Sequence, residues 1–89
     1  MGEDVKKVNR RLFKTPDGAV VESNFDAYWY TIDESGAAYL YGGKVPRAGI
    51  YKWTNYCVSG LRFVFQFYNV KDWKKCRWYL EDDGTWKRC

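Results

Sequence analysis

Residues 23–36 read S-N-F-D-A-Y-W-Y-T-I-D-E-S-G, and whether this run is helix or strand decides what the rest of the chain packs against. Phe25, Tyr28, Trp29 and Ile32 fall at i, i+3, i+4 and i+7, one stripe of a helix, with Asn24, Asp26, Thr31 and Asp33 off that stripe. Alternation over the same residues gives two mixed faces. Ser23 and Asp26 stand at capping-box spacing and Gly36 at a stop. The spacing therefore predicts an amphipathic helix here, against the strand preference of its Tyr and Trp side chains.

Upstream, R-L-F-K-T-P-D-G-A-V-V-E (11–22) sets two short apolar runs around T-P-D-G. Pro suits the first central position of a turn and Gly the left-handed one, so a hairpin is expected with strands near 10–14 and 19–22. Val5, Val8 and Leu12 are at helical spacing, and residues 1–9 read as a frayed helix or a basic arm. Downstream come A-A-Y-L-Y (37–41), the loop G-G-K-V-P-R-A-G (42–49) carrying Lys44 and Arg47, I-Y-K-W-T-N-Y (50–56), and the alternating run S-G-L-R-F-V-F-Q-F-Y (59–68). The loop lacks the G-x-x-x-x-G-K-S/T order of a nucleotide P-loop.

A four-residue turn at 69–72 would fold the last of these runs back on 73–80, with Phe65 opposite Cys76, Phe63 opposite Trp78 and Arg62 opposite Tyr79. That register sorts Leu61, Phe63, Phe65, Cys76, Trp78 and Leu80 to one face. Arg62, Val64, Gln66, Tyr68, Trp73, Lys75, Arg77 and Tyr79 go to the other. The turn E-D-D-G-T, with Gly84 left-handed, then brings Trp86 opposite Leu80 and Lys87 opposite Tyr79. The expected fold is one α+β domain over residues 1–89. In it an N-terminal β-hairpin and one amphipathic helix pack on an antiparallel sheet that ends in a three-stranded meander.

Composition bounds the function. The chain has 89 residues, 46% hydrophobic and 20% aromatic, too apolar for disorder and short enough for one core. No apolar run has the length of a membrane span or signal peptide, so a soluble, cytoplasmic protein is expected. Cys57, Cys76 and Cys89 form an odd set without a C-x-x-C pair, and there is no His, so neither a disulfide framework nor a zinc site is expected, and no cofactor or metal. The acids Asp33, Glu34, Glu81, Asp82 and Asp83 sit at turns, where acids are ordinary turn formers, so the chain reads as a non-enzyme.

Charge is uneven. Residues 37–80 hold eight basic side chains against Asp72 alone, which points to an anionic partner. On the expected sheet face, Arg62, Gln66, Lys75, Arg77 and Lys87 interleave with Tyr68, Trp73 and Tyr79, rings for bases and cations for phosphates. Long basic and aromatic side chains also cover solvated antiparallel sheets for reasons of strand propensity. The expectation is a module that binds RNA or single-stranded DNA on this face, with Lys44 and Arg47 beside it. The alternative is a protein-binding module, such as a small phage-type inhibitor or adaptor, since Tyr, Trp and Arg are also the side chains of interface hot spots.

Overall fold

A computed structural model describes residues 7–54, 58–67 and 70–89, with the side chains of 58–62 outside that description. The chain is a β-sheet domain. Its strands are β1 (Leu12–Lys14), β2 (Val20–Glu22), β3 (Trp29–Ile32), β4 (Ala37–Gly43), β5 (Arg47–Ala48), β6 (Trp53–Thr54), β7 (Val58–Gln66), β8 (Arg77–Leu80) and β9 (Trp86–Arg88), with one 3₁₀ turn at Trp73–Lys75. Five form the main sheet, in the order β7-β4-β3-β8-β9, while β1 with β2 and β5 with β6 make two-stranded hairpins. Among the described residues no helix is long and apolar enough to cross a membrane.

The helix expected over 23–36 is instead an irregular entry followed by the central strand β3. The decisive feature is a turn that recurs three times. In Thr15–Ala19, Asp33–Ala37 and Glu81–Thr85 the first residue's N–H donates to the fifth residue's carbonyl, at 2.8, 2.9 and 2.8 Å, and its own carbonyl accepts from the glycine N–H, at 2.9, 2.9 and 3.0 Å. Gly18, Gly36 and Gly84 sit at φ of 89°, 89° and 92°, the left-handed conformation that a three-residue hairpin loop requires. D-E-S-G is thus the hairpin turn between β3 and β4, not a helix stop. Ser23 serves the local chain, donating its hydroxyl to the Phe25 carbonyl and accepting the Phe25 N–H. Asp26 pairs with Arg11 at 2.9 Å on the surface.

The apolar stripe that imitates a helix has a different cause. β3 lies in the middle of the sheet, and Tyr30, Thr31 and Ile32 are all buried, so both of its faces are covered and the strand carries no polar alternation. One sheet face, with Tyr30, Ile32, Ala38, Leu40 and Leu80, is covered by Phe13 and Val21 of the N-terminal hairpin. Arg10 stitches that hairpin down: its side chain, 11% exposed, donates to the Ala27 and Leu80 carbonyls and to Asp82, and lies over the Tyr28 ring at 4.1 Å.

The expected three-stranded meander is also overturned. β7 pairs with β4 (Tyr39 opposite Phe63, Leu40 opposite Arg62) and β8 with β3 (Trp29 opposite Tyr79, Thr31 opposite Arg77), so two strands separate β7 from β8. The β8–β9 hairpin does have the expected register, Tyr79 opposite Lys87 and Leu80 opposite Trp86. A bulge between Phe63 and Phe65 leaves both rings at the sheet edge, 52% and 51% exposed, rather than in the core. Trp78 does not meet them: it packs on Tyr30 at 5.7 Å.

Candidate nucleic-acid interface

Antiparallel pairing carries residues in rows across the sheet, and two rows build the second face. One runs Phe63, Tyr39, Thr31, Arg77 over β7, β4, β3 and β8; the other runs Tyr41, Trp29, Tyr79, Lys87 over β4, β3, β8 and β9. Rings fill most of these positions, and neighbours touch: Tyr39 meets Phe63 edge-on at 5.7 Å and Trp29 meets Tyr79 at 4.9 Å. Both separations are ordinary for favourable aromatic pairs.

The middle of this face is roofed. The β5–β6 hairpin folds over it as a flap, closed by the Gly49 N–H donating to the Lys52 carbonyl at 2.7 Å. Trp53 is its anchor. That residue is buried, its backbone N–H donates to Asp33 Oδ1 at 2.9 Å and its indole N–H donates to the Ile32 carbonyl at 3.0 Å. Trp73, from the 3₁₀ turn, closes edge-on against it at 6.0 Å. Arg77 clamps the flap from below, donating to the Pro46 carbonyl at 3.0 Å with its guanidinium 5.6 Å from the rings of both Trp29 and Trp53.

The sequence-predicted residues are therefore divided. Arg77, Tyr79 and Lys87 share the face as expected, but Trp73 is buried and Arg77 is committed to the flap, so neither offers an open surface. Arg62 stands in the register row of Leu40, Tyr30 and Trp78, not that of Arg77 and Tyr79. Gln66 donates to the Ser35 carbonyl at 2.6 Å and is a structural tie between β7 and the β3–β4 turn. Lys75 is exposed on the 3₁₀ turn. Lys44 and Arg47 are exposed at the start of the flap, Arg47 in β5 rather than in a loose loop. Tyr68 and Cys57 lie outside the described residues.

Where flap meets sheet, a cleft of about 130 Å³ opens between Asp33, Tyr39, Tyr41, Lys52 and Trp53. Burial raises the Asp33 carboxyl above its ordinary value, with the Trp53 N–H and the Lys52 charge partly opposing it. Burial likewise raises the Tyr41 hydroxyl, which accepts from Thr31 at 3.4 Å and stays protonated at neutral pH. Lys52 and Tyr51 on the flap are exposed. Sequence reasoning missed this cleft because its contacts span distant segments: nothing local to D-E-S-G signals that Asp33 reaches a tryptophan twenty residues on. Among the described residues no group of His, Cys, Asp and Glu has the arrangement of a metal site.

No family model, curated protein or solved structure matches the chain.

Proposed function

We propose that this chain is a non-catalytic module that binds RNA or single-stranded DNA along the flap side of the sheet. The observation that carries the reading is the juxtaposition of half-exposed rings with exposed cations. Tyr39 and Phe63 form an open aromatic pair next to the cleft, and Lys44, Arg47 and Lys52 line the flap beside it. Bases stack on flat rings without regard to sequence, contributing about 1–3 kcal/mol each, while phosphates meet the cations. Compared with the sequence expectation, the binding surface moves from Trp73 and Arg77 toward Tyr39, Phe63 and the flap.

The two contributions are separable. Removing charge at Lys44, Arg47 or Lys52 should weaken binding to every oligonucleotide and reduce the slope of log affinity against log salt by about 0.7 for each phosphate that is no longer neutralised. Tyr39→Ala or Phe63→Ala should lose about 1–3 kcal/mol with the slope unchanged, because stacking releases no counterions. Equal effects of all five substitutions on the salt slope would contradict the assignment.

A protein partner is the second reading, favoured by β7 itself. It is an edge strand with Phe63 and Phe65 half exposed, and such an edge is a template for strand addition. That reading predicts no oligonucleotide affinity and a partner whose binding is lost in Phe65→Lys.

A further inference from the structure

We infer that the cleft beneath the flap accepts a single base, and that cytosine is the base it fits. The inference rests on the nucleic-acid reading above and names what that face selects. Ligand pockets for whole small molecules run to about 300 Å³ and more, whereas this cleft measures about 130 Å³, room for one ring system and not for a nucleotide. Its walls are Tyr39, Tyr41 and Trp53, flat surfaces for a base, and Lys52 at the mouth is placed for the attached phosphate. The same lysine argues against a cationic occupant, for which an aromatic cleft with a carboxylate would otherwise be suited.

Asp33 gives the selection. It is 6% exposed and lines the cleft, with Oδ1 already accepting the Trp53 N–H. A buried carboxylate only accepts hydrogen bonds, so the base must bring a donor, and the exocyclic amine of cytosine is one. Uracil and thymine present a carbonyl oxygen in place of that amine, and their one ring donor, N3–H, lies between two carbonyl oxygens that would face the carboxylate acceptor to acceptor. Adenine also carries an exocyclic amine and guanine an amine beside a ring N–H, but both are two-ring systems and ask for more room than the cleft gives. Tyr41, held protonated, supplies a donor for the acceptor edge of cytosine, while Lys52 stays with the phosphate.

The test uses the wild-type protein and short labelled oligocytidylate and oligouridylate at one fixed salt concentration, read by fluorescence anisotropy. Oligocytidylate should bind about tenfold more tightly, the worth of one charge-assisted hydrogen bond. An oligomer of N4,N4-dimethylcytosine, which has lost both amine protons, should fall to the affinity of oligouridylate without any change in the protein. Asp33→Asn should remove the preference while keeping the salt dependence. Equal affinity for the cytidine and uridine oligomers overturns the inference and leaves the binding face standing. If neither binds, the nucleic-acid reading falls and the inference with it.

Discussion

Gly18→Ala and Gly36→Ala make a matched pair, because both glycines have φ of 89° in the same three-residue turn. A left-handed backbone costs an alanine about 1–2 kcal/mol, and the smaller entropy of the unfolded alanine chain offsets some of this. At Gly18 nothing lies within 4 Å of an added Cβ, so the loss there should be about 1 kcal/mol. At Gly36 the new Cβ would overlap the Phe67 carbonyl oxygen and come within 3.0 Å of Gln66 Nε2. The Phe67 N–H donates to the Gly36 carbonyl at 2.8 Å, so the end of β7 is tied to this turn and cannot withdraw without losing that bond. Displacing packed backbone of this kind adds about 1–3 kcal/mol, for a total of roughly 2–4 kcal/mol. Urea denaturation of the wild type and both variants reads the difference directly, and in a thermal melt each 1 kcal/mol should appear as about 4–8 °C in a domain of this size. A helix ending at Gly36 would lose only the left-handed contribution. Equal losses in the two variants would therefore refute the docking of β7 against the β3–β4 turn.

Other consequences are simpler to state. Asp33 has a folded pKa raised from 3.8, chiefly by burial, so its contribution is most favourable when protonated and is lost as pH rises through the raised value. The stability of Asp33→Asn relative to wild type should thus increase with pH across the window just above 3.8; denaturant titrations showing the gap shrinking instead would mean the fold favours the carboxylate. Arg10→Ala should cost about 1.5–3 kcal/mol by stranding the Ala27 and Leu80 carbonyls, and a denaturation midpoint equal to wild type would show that the stitch is unimportant. Replacing all three cysteines, or adding a chelator, should leave oligonucleotide affinity unchanged in the anisotropy assay. Loss of affinity in a folded Cys57→Ser protein would point to thiol chemistry.

What the sequence made legible were the features decided by neighbours. T-P-D-G and E-D-D-G announce their turns, and the second of them places Lys87 opposite Tyr79 as the structure does. D-E-S-G is the same turn with the same left-handed glycine, but the helical spacing of Phe25, Tyr28, Trp29 and Ile32 outweighed it. A strand buried on both faces leaves no alternation to read, and the recurring turn was the signal that could have corrected the assignment. The partner of β7 was beyond local reasoning. Folding 59–68 back on 73–80 sorts apolar from polar residues convincingly, yet the chain pairs β7 with β4 and keeps β8 for β3. The consequence for the site is direct: Arg77, Tyr79 and Lys87 were visible because they share a hairpin or its neighbour. Asp33, Tyr39 and Lys52 were not, because only the flap brings them together.

Whether the flap side of the sheet binds single-stranded nucleic acid can be read from one titration. A labelled oligonucleotide of mixed sequence is added to the wild-type protein at about 50 mM salt, where phosphate contacts are strong, and again at about 200 mM. Saturable binding is expected at the lower salt, weakened at the higher because each counterion released from the phosphates that Lys44, Arg47 and Lys52 reach gains less entropy in the more concentrated salt. Absence of any binding at about 50 mM salt would contradict the nucleic-acid reading and leave the exposed edge of β7 as the surface to pursue.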